Sequence, residues 1–137
     1  MNANTGELGT DCEEEQSFFM DTLNQNILDE LISYLKKVKY KNIVQDLKLE
    51  HCTDEDGDYI YLVCIKIKKS QKEKGYGTAA LSEVIKLADI YDVRIILYAT
   101  SIFGSDLQRL YAFYTKHGFV LIKKENDGKM IYQPKKK

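Results

Sequence analysis

Tryptophan is absent from this sequence, proline occurs once, and cysteine occurs three times in 137 residues. Cys12, Cys52 and Cys64 lie far apart, with no C-x-x-C pair and no cluster of histidine and cysteine. Neither a zinc site nor a disulfide framework is therefore predicted, and no residue is assigned as a metal ligand. Scattered cysteines outside any disulfide framework are typical of a reducing compartment, so we expect a cytoplasmic protein.

Long apolar runs are also missing. No segment approaches the ~20 apolar residues of a membrane-spanning helix. Residues 1–16 have neither the basic start nor the apolar block of a signal peptide. We therefore expect no membrane partner. The hydrophobic content of 44%, in a chain of this length, suits one domain with a single core.

Basic side chains are absent from the first thirty residues, which contain eight acidic ones. The rest of the chain contains twenty basic and thirteen acidic side chains. We predict an acidic, disordered tail over residues 1–16, a single domain over residues 17–134 and a basic tail over residues 135–137. The basic excess leaves nucleic-acid binding as a lower-ranked alternative function.

Apolar periodicity predicts the order of the elements. A helix begins near Phe18, with Ser17 or Asp21 as its cap. A capping box formed by Ser105 and Gln108 opens the last helix. Between these two helices, a strand, a helix opened by glycines and a second strand imply a parallel pair of strands. The predicted strands lie at residues 42–52, 59–68, 93–100, 119–123 and 129–133.

The stretch around which the chain is organised is residues 60–81. A run rich in β-branched and aromatic residues predicts a buried strand, and a loop with four lysines follows it. Gly75 and Gly77 then open a helix. The N–H groups of a first helical turn have no intrahelical partner and lie at the positive end of the dipole, so they bind phosphate. We therefore predict a site for a phosphorylated cofactor.

Three phosphate-binding patterns compete for this loop. The P-loop string G-x-x-x-x-G-K-[ST] is absent. Residues 75–80 match the dinucleotide fingerprint G-x-G-x-x-[GA], but a lysine-rich loop separates them from the strand, and the expected acidic residue is missing. Residues 72–77, which read K-E-K-G-Y-G, resemble a third pattern, [QR]-x-x-G-x-[GA]. Lys72 stands where that pattern has Gln or Arg, which keeps the charge but loses a planar donor.

A second motif accompanies the loop. Residues 114–119, Y-T-K-H-G-F, match a Y-x-x-x-G-F motif that joins the last helix to the following strand. In this order, the two motifs resemble those of the GNAT superfamily of acyl-CoA-dependent N-acyltransferases, in particular the compact, stand-alone acetyltransferases of bacteria and phages. The match covers about residues 59–132. It implies an α/β fold with a mixed, twisted sheet, helices on both faces and strands that splay at the cofactor gap.

The resemblance implies transfer of an acetyl group from acetyl-CoA to a primary amine, by direct attack on the thioester. The amine belongs to a small molecule or a protein that the sequence does not identify. Tyr114 would give a proton to the departing thiolate, and a strand N–H near Ile65 would polarise the thioester carbonyl. The cofactor-binding residues implied by the resemblance are Ile65, Ile67, Lys72, Glu73, Lys74, Gly75, Tyr76, Gly77 and Thr78.

The base that deprotonates the amine is not evident. An alkyl amine has a pKa of ~10, so a base or a water chain must remove its proton. Residues 59–68 contain no Asp or Glu that could do so. Glu50 and His51, on the preceding strand, are the candidates. The missing base and Lys72 favour an alternative, a CoA- or partner-binding module without turnover. On helical spacing alone, Tyr114 is interpreted as a core residue. The sequence does not determine the oligomeric state, and a homodimer is one possibility.

Overall fold

The computed structural model describes residues 22–100, 106–122 and 127–135. The predicted acidic tail, and the predicted caps at Ser17, Asp21 and Ser105, lie outside the described residues. No helix in the described ranges is long and apolar enough to span a membrane. The elements in chain order are α1 (Gln25–Tyr34), β1 (Val44–Asp54), β2 (Gly57–Ile67), α2 (Tyr76–Tyr91), β3 (Arg94–Tyr98), α3 (Leu107–Lys116), β4 (Phe119–Leu121) and β5 (Lys129–Tyr132).

Local polar side chains set where the two amphipathic helices begin. The α1 helix begins later than the sequence predicted, because the Asn24 side chain accepts a hydrogen bond from the N–H of Ile27 at 3.1 Å and caps it there. In α3 the cap is Asp106, whose carboxylate accepts from the N–H of Gln108 at 3.0 Å. Both caps are of the type that satisfies N–H groups left open in a first turn.

The five strands form one mixed sheet in the order β1-β2-β3-β5-β4. β1 and β2 form the predicted antiparallel hairpin, and β2 pairs with β3 in parallel, as the crossover through α2 predicted. β5 lies antiparallel between β3 and β4. The mixed α/β sheet inferred from the sequence is therefore confirmed.

The core lies on one face of this sheet. Leu28 of α1, Leu81 of α2, Ile60 of β2 and Ile95 of β3 belong to one buried cluster, and each is fully buried. Side chains of α3 pack against the same cluster. The sequence predicted helices on both faces, whereas the described helices α1, α2 and α3 share this one. Two right-handed crossovers that step in the same direction along a sheet place their helices on the same side, which accounts for α2 and α3.

The opposite side of the sheet, here called the open face, carries the alternate residues of the strands. Ile96 is only 4% exposed, yet it lies outside the core cluster. Tyr61 pairs with it in the parallel register, and the Tyr61 and Tyr98 rings make an edge-to-face contact with centroids 6.0 Å apart. Tyr98 is 44% exposed. No helix among the described residues covers the open face.

Candidate active site

The strands β2 and β3 diverge partway along their length. Their parallel pairing runs from Tyr59 and Arg94 to Tyr61 and Ile96, although β2 continues for six more residues. A cleft of about 710 Å³ begins where the pairing ends. Its walls come from the C-terminal halves of both strands, from residues 71–78 and from one side of α3. The splayed strands that the sequence implied are thus present.

The glycine-opened helix forms the floor of this cleft. Gly75 caps α2 in the left-handed conformation, with φ of +83°, which a residue with a side chain adopts only at a cost. The first intrahelical bond runs from the N–H of Ala79 to the carbonyl of Gly75 at 3.0 Å. The N–H groups of Tyr76, Gly77 and Thr78 therefore have no intrahelical partner, and all three residues line the cleft.

The loop that precedes α2 carries both signs of charge. Lys72 and Glu73 line the cleft, and Glu73 adopts a left-handed conformation with φ of +65°. The Lys74 ammonium instead donates a hydrogen bond to the side-chain oxygen Oε1 of Gln71 at 3.4 Å, and Lys74 does not line the cleft. Of the nine predicted cofactor residues, the cleft is lined by Ile65, Ile67, Lys72, Glu73, Gly75, Tyr76, Gly77 and Thr78.

Tyr114 lies near the end of α3 and lines the same cleft. Its ring packs edge-to-face on Phe113, at 5.1 Å between centroids, and on Phe119, at 5.4 Å. Burial raises the pKa of the Tyr114 phenol to about 12, and the nearby Cys64 thiol acts in the same direction. The hydroxyl therefore carries its proton throughout the physiological range. It is suited to donate a hydrogen bond to an anion in the cleft.

Cys64 faces the cleft from β2. Burial raises the pKa of the Cys64 thiol, and the carboxylate of Asp46 raises it further, whereas Lys66 and Lys48 act in the opposite direction. The thiol is therefore protonated at neutral pH, and Cys64 packs as a small, half-buried, uncharged side chain.

The structure does not bring the two candidate bases into the cleft. Glu50 pairs with Tyr61 in the hairpin register and is exposed, and neither Glu50 nor His51 lines the cleft. The His51 ring nitrogen lies 3.3 Å from the carboxylate of Asp58, close enough for an ion pair but without the alignment of a hydrogen bond. The sequence could not show which residues of β1 line the cleft, because that depends on the register between β1 and β2.

The cleft is also lined by charged residues that the sequence did not assign to the site, namely Asp46, Lys48, Lys66 and Arg109. Asp46 of β1 lies opposite Lys66 of β2, beyond a bulge between Val44 and Asp46 that shifts the register of the hairpin. Arg109 of α3 lines the cleft from the opposite wall. Arg109 is four residues before Phe113, and Leu110 is four residues before Tyr114, so the helical repeat places all four on one side of α3. The register shifts of the hairpin, by contrast, could not be foreseen.

Metal ligands are not grouped in the described ranges. There, no set of three or more His, Cys, Asp or Glu side chains is placed to hold a metal ion.

No protein-family model matches the chain, and a sequence search of curated proteins gives no match. Solved structures match it by fold. AtaTR bound with acetyl-CoA matches at a TM-score of 0.50 and 15% identity, over 64% of this chain and 55% of that chain, so this chain spans little more than half of the AtaTR chain. The KacTA–DNA complex matches at a TM-score of 0.51 and 18% identity, over 82% of each chain. Both contain GNAT acetyltransferases, and the chain has a GNAT-like fold.

Proposed function

We propose that this protein transfers an acetyl group from acetyl-CoA to a primary amine. One observation carries the proposal: a single cleft joins diverging strands, a glycine-opened helix N-terminus and a protonated tyrosine. The structurally similar AtaTR binds acetyl-CoA, which supports the choice of cofactor. A phosphate-binding helix start alone would fit many ligands. The wedge between β2 and β3 adds room for an extended, hydrogen-bonding arm beside it.

The residues of the cleft divide the work between binding and chemistry. The N–H groups of Tyr76, Gly77 and Thr78, with Lys72 beside them, would hold the pyrophosphate through hydrogen bonds and charge. Strand β2 beyond Tyr61 has no partner in β3, so its backbone is free on that side to pair with the pantetheine arm. We retain a β2 N–H near residue 65 as the group that polarises the thioester carbonyl.

Tyr114 acts on the leaving group. A thiol has a pKa of ~8.5, well below the value of about 12 for this phenol. Complete proton transfer from the phenol to the thiolate is therefore uphill, and the hydroxyl stabilises the developing charge mainly as a hydrogen-bond donor. The final proton on the thiol then comes from the attacking amine, which must lose it to form the amide. The motif implied that Tyr114 gives its proton to the thiolate, and the role proposed here is hydrogen-bond donation to the same group.

A binding module that holds CoA without turnover is the second candidate. It is favoured by the position of Glu50 and His51 outside the cleft, since neither can take a proton from an amine bound there. In that case the protein would bind acetyl-CoA and release no thiol with any acceptor. The same cleft residues would then serve recognition only.

The test is a screen that measures free CoA thiol against a panel of primary amines, alongside calorimetry with acetyl-CoA. The panel includes polyamines, amino acids, aminoglycosides and peptides with free N-termini or lysines. Transferase function predicts binding and an acceptor-dependent release of thiol. Binding without release across the panel would establish the module instead, and the absence of binding would contradict both functions.

A further inference from the structure

The cleft opens toward the open face through a group of side chains on the β1–β2 hairpin. Asp46 pairs with Lys66, and Lys48 pairs with Cys64, while the intervening Leu47 belongs to the core cluster. Side chains alternate along β1, so Asp46 and Lys48, on either side of Leu47, point away from the core. Their cross-strand partners Lys66 and Cys64 share that face, because the register shifts between Lys48 and Leu49. All four line the cleft. The helix α2, with its pyrophosphate-binding N–H groups, lies on the core side.

Asp46 has properties that its neighbours in the cleft lack. The carboxylates that line the cleft are those of Asp46 and Glu73, and Glu73 belongs to the loop assigned to the pyrophosphate. The Asp46 side chain is 53% exposed, so a ligand can reach it. Its charge acts on the Cys64 thiol, and that thiol acts on the Tyr114 hydroxyl. Asp46, Cys64 and Tyr114 all line the cleft, Asp46 from β1, Cys64 from β2 and Tyr114 from α3.

We propose that Asp46 is a positioning residue that binds the ammonium group of a cationic acceptor on the open-face side of the cleft. This inference rests on the proposed acetyl transfer and names the class of acceptor: a primary amine that arrives protonated. It also gives the two substrates separate approaches. Acetyl-CoA is held from the core side by α2, and the acceptor enters from the open face.

The chemistry limits what Asp46 can contribute. The ammonium ion loses one proton to solvent, its nitrogen forms the C–N bond, the C–S bond breaks, and the second proton from nitrogen ends on the thiol. A carboxylate is a far weaker base than an alkyl amine, so it is a poor acceptor for a proton from an amine. It also stabilises the charged form that cannot attack. Asp46 therefore acts on acceptor affinity, and hence on KM, and not on the proton transfer.

A purely structural role for Asp46 makes different predictions. Its carboxylate lies 3.8 Å from the ammonium of Lys36, which is itself exposed by about one third. Exposed ion pairs of this kind contribute little to stability. If the carboxylate serves only that pair, Asp46→Asn and Lys36→Met must have equal effects. If it binds the acceptor, Lys36→Met frees it and leaves KM unchanged or lower.

The experiment compares the wild-type protein with Asp46→Asn, Lys36→Met and Glu55→Gln. Glu55 is an exposed residue of the β1–β2 turn, so its variant removes one negative charge at a distance from the cleft. Each protein is assayed with the best cationic acceptor from the screen and with an amine that is neutral at the assay pH. For Asp46→Asn we expect KM for the cationic acceptor to rise about 3- to 10-fold, the range of a partly exposed charge pair.

The matched readouts decide between the possibilities. In Asp46→Asn we expect the KM for acetyl-CoA and the KM for the neutral amine to remain unchanged. We expect kcat with the cationic acceptor to stay the same or rise, because the carboxylate no longer stabilises the ammonium form. All parameters should remain unchanged in Glu55→Gln. An unchanged KM for the cationic acceptor, or an equal rise in Lys36→Met, would overturn the assignment while leaving acetyl transfer intact. So would a wild-type protein that acetylates only uncharged acceptors. Absence of thiol release with every acceptor would instead overturn the proposed function itself.

Discussion

Tyr114 illustrates how one side chain can be both a packing residue and a chemical group. Its ring lies between Phe113 and Phe119, as expected of a core position. Its hydroxyl nevertheless reaches the cleft, where burial raises its pKa to about 12. Burial disfavours the phenolate, so the same packing that stabilises the ring also keeps the proton in place. The two interpretations left open by the sequence are therefore compatible.

Replacing Tyr114 with phenylalanine tests the chemical half of that role. The variant keeps the ring contacts and removes only the hydroxyl, so it should stay folded and bind acetyl-CoA with unchanged affinity. Turnover should fall about 10- to 1,000-fold, because a hydrogen-bond donor to the thiolate is lost and solvent replaces it only in part. Stopped-flow or steady-state thiol release gives kcat, and calorimetry gives the acetyl-CoA affinity. Unchanged turnover in a folded variant would leave Tyr114 with packing alone.

The pH profile supplies an independent check on the same residue. A phenol with a pKa of about 12 keeps its proton as the pH rises from 7 to 10. Deprotonation of the amine favours attack over that range, since its pKa is ~10. Wild-type turnover should therefore rise with pH up to about 10 and show no descending limb from Tyr114. A descending limb that is centred below pH 9 and disappears in Tyr114→Phe would contradict this assignment.

The N-terminus of α2 is the element that the cofactor assignment depends on most. A Cβ added at Gly77 would have the Phe113 ring as its nearest neighbour at 3.8 Å, an ordinary contact, and Gly77 has no left-handed φ. This position therefore accepts a side chain without strain. Gly75 differs, because its φ of +83° favours glycine whatever the space around it.

This difference makes Gly77 a clean site for an electrostatic test. Gly77→Asp places a carboxylate beside the N–H groups assigned to the pyrophosphate, whereas Gly77→Asn places an uncharged group of the same shape. We expect calorimetry to show at least a tenfold larger loss of acetyl-CoA affinity for the aspartate, because like charges repel and the helix N-terminus is already neutralised. Equal losses would attribute the effect to bulk, and no loss in either would remove α2 from the site.

For the helices and strands, the sequence predicted those features that depend on residues close together in the chain. The glycine-opened start of α2, the turn between β1 and β2 and the parallel β2–β3 pair follow from neighbouring residues. The place of Asp46 does not, because its pairing with Lys66 depends on the register shift between Lys48 and Leu49, and the paired residues are about twenty apart in the chain. Periodicity likewise shows that a helix has an apolar face, but not which side of the sheet that face covers.

Charge is a property of the whole molecule here. The formal net charge is −1, although the cleft is approached by many cationic side chains. Lys48, Lys66, Lys72 and Arg109 line it, against Asp46 and Glu73. A basic cleft attracts an anionic cofactor such as acetyl-CoA. Acidic groups elsewhere in the chain weaken that attraction at low salt, and added salt screens them.

Removing residues 1–16 tests this balance and the predicted domain boundary together. The segment contains five acidic side chains and no lysine or arginine, so its deletion changes the formal net charge from −1 to +4. Its few apolar residues offer little burial to offset the entropy of ordering them. We therefore expect the Tm to change by no more than about 2 °C, which corresponds to a few tenths of a kcal/mol for a domain of this size.

At low ionic strength acetyl-CoA should bind about two- to threefold more tightly to the shortened chain, and the difference should disappear at about 0.5 M salt, where the Debye length is only about 4 Å. Calorimetry at the two salt concentrations and a thermal melt give both answers. A fall in Tm of many degrees would show that the segment packs on the domain, and an affinity gain that persists at high salt would mean that it acts by obstructing the cleft.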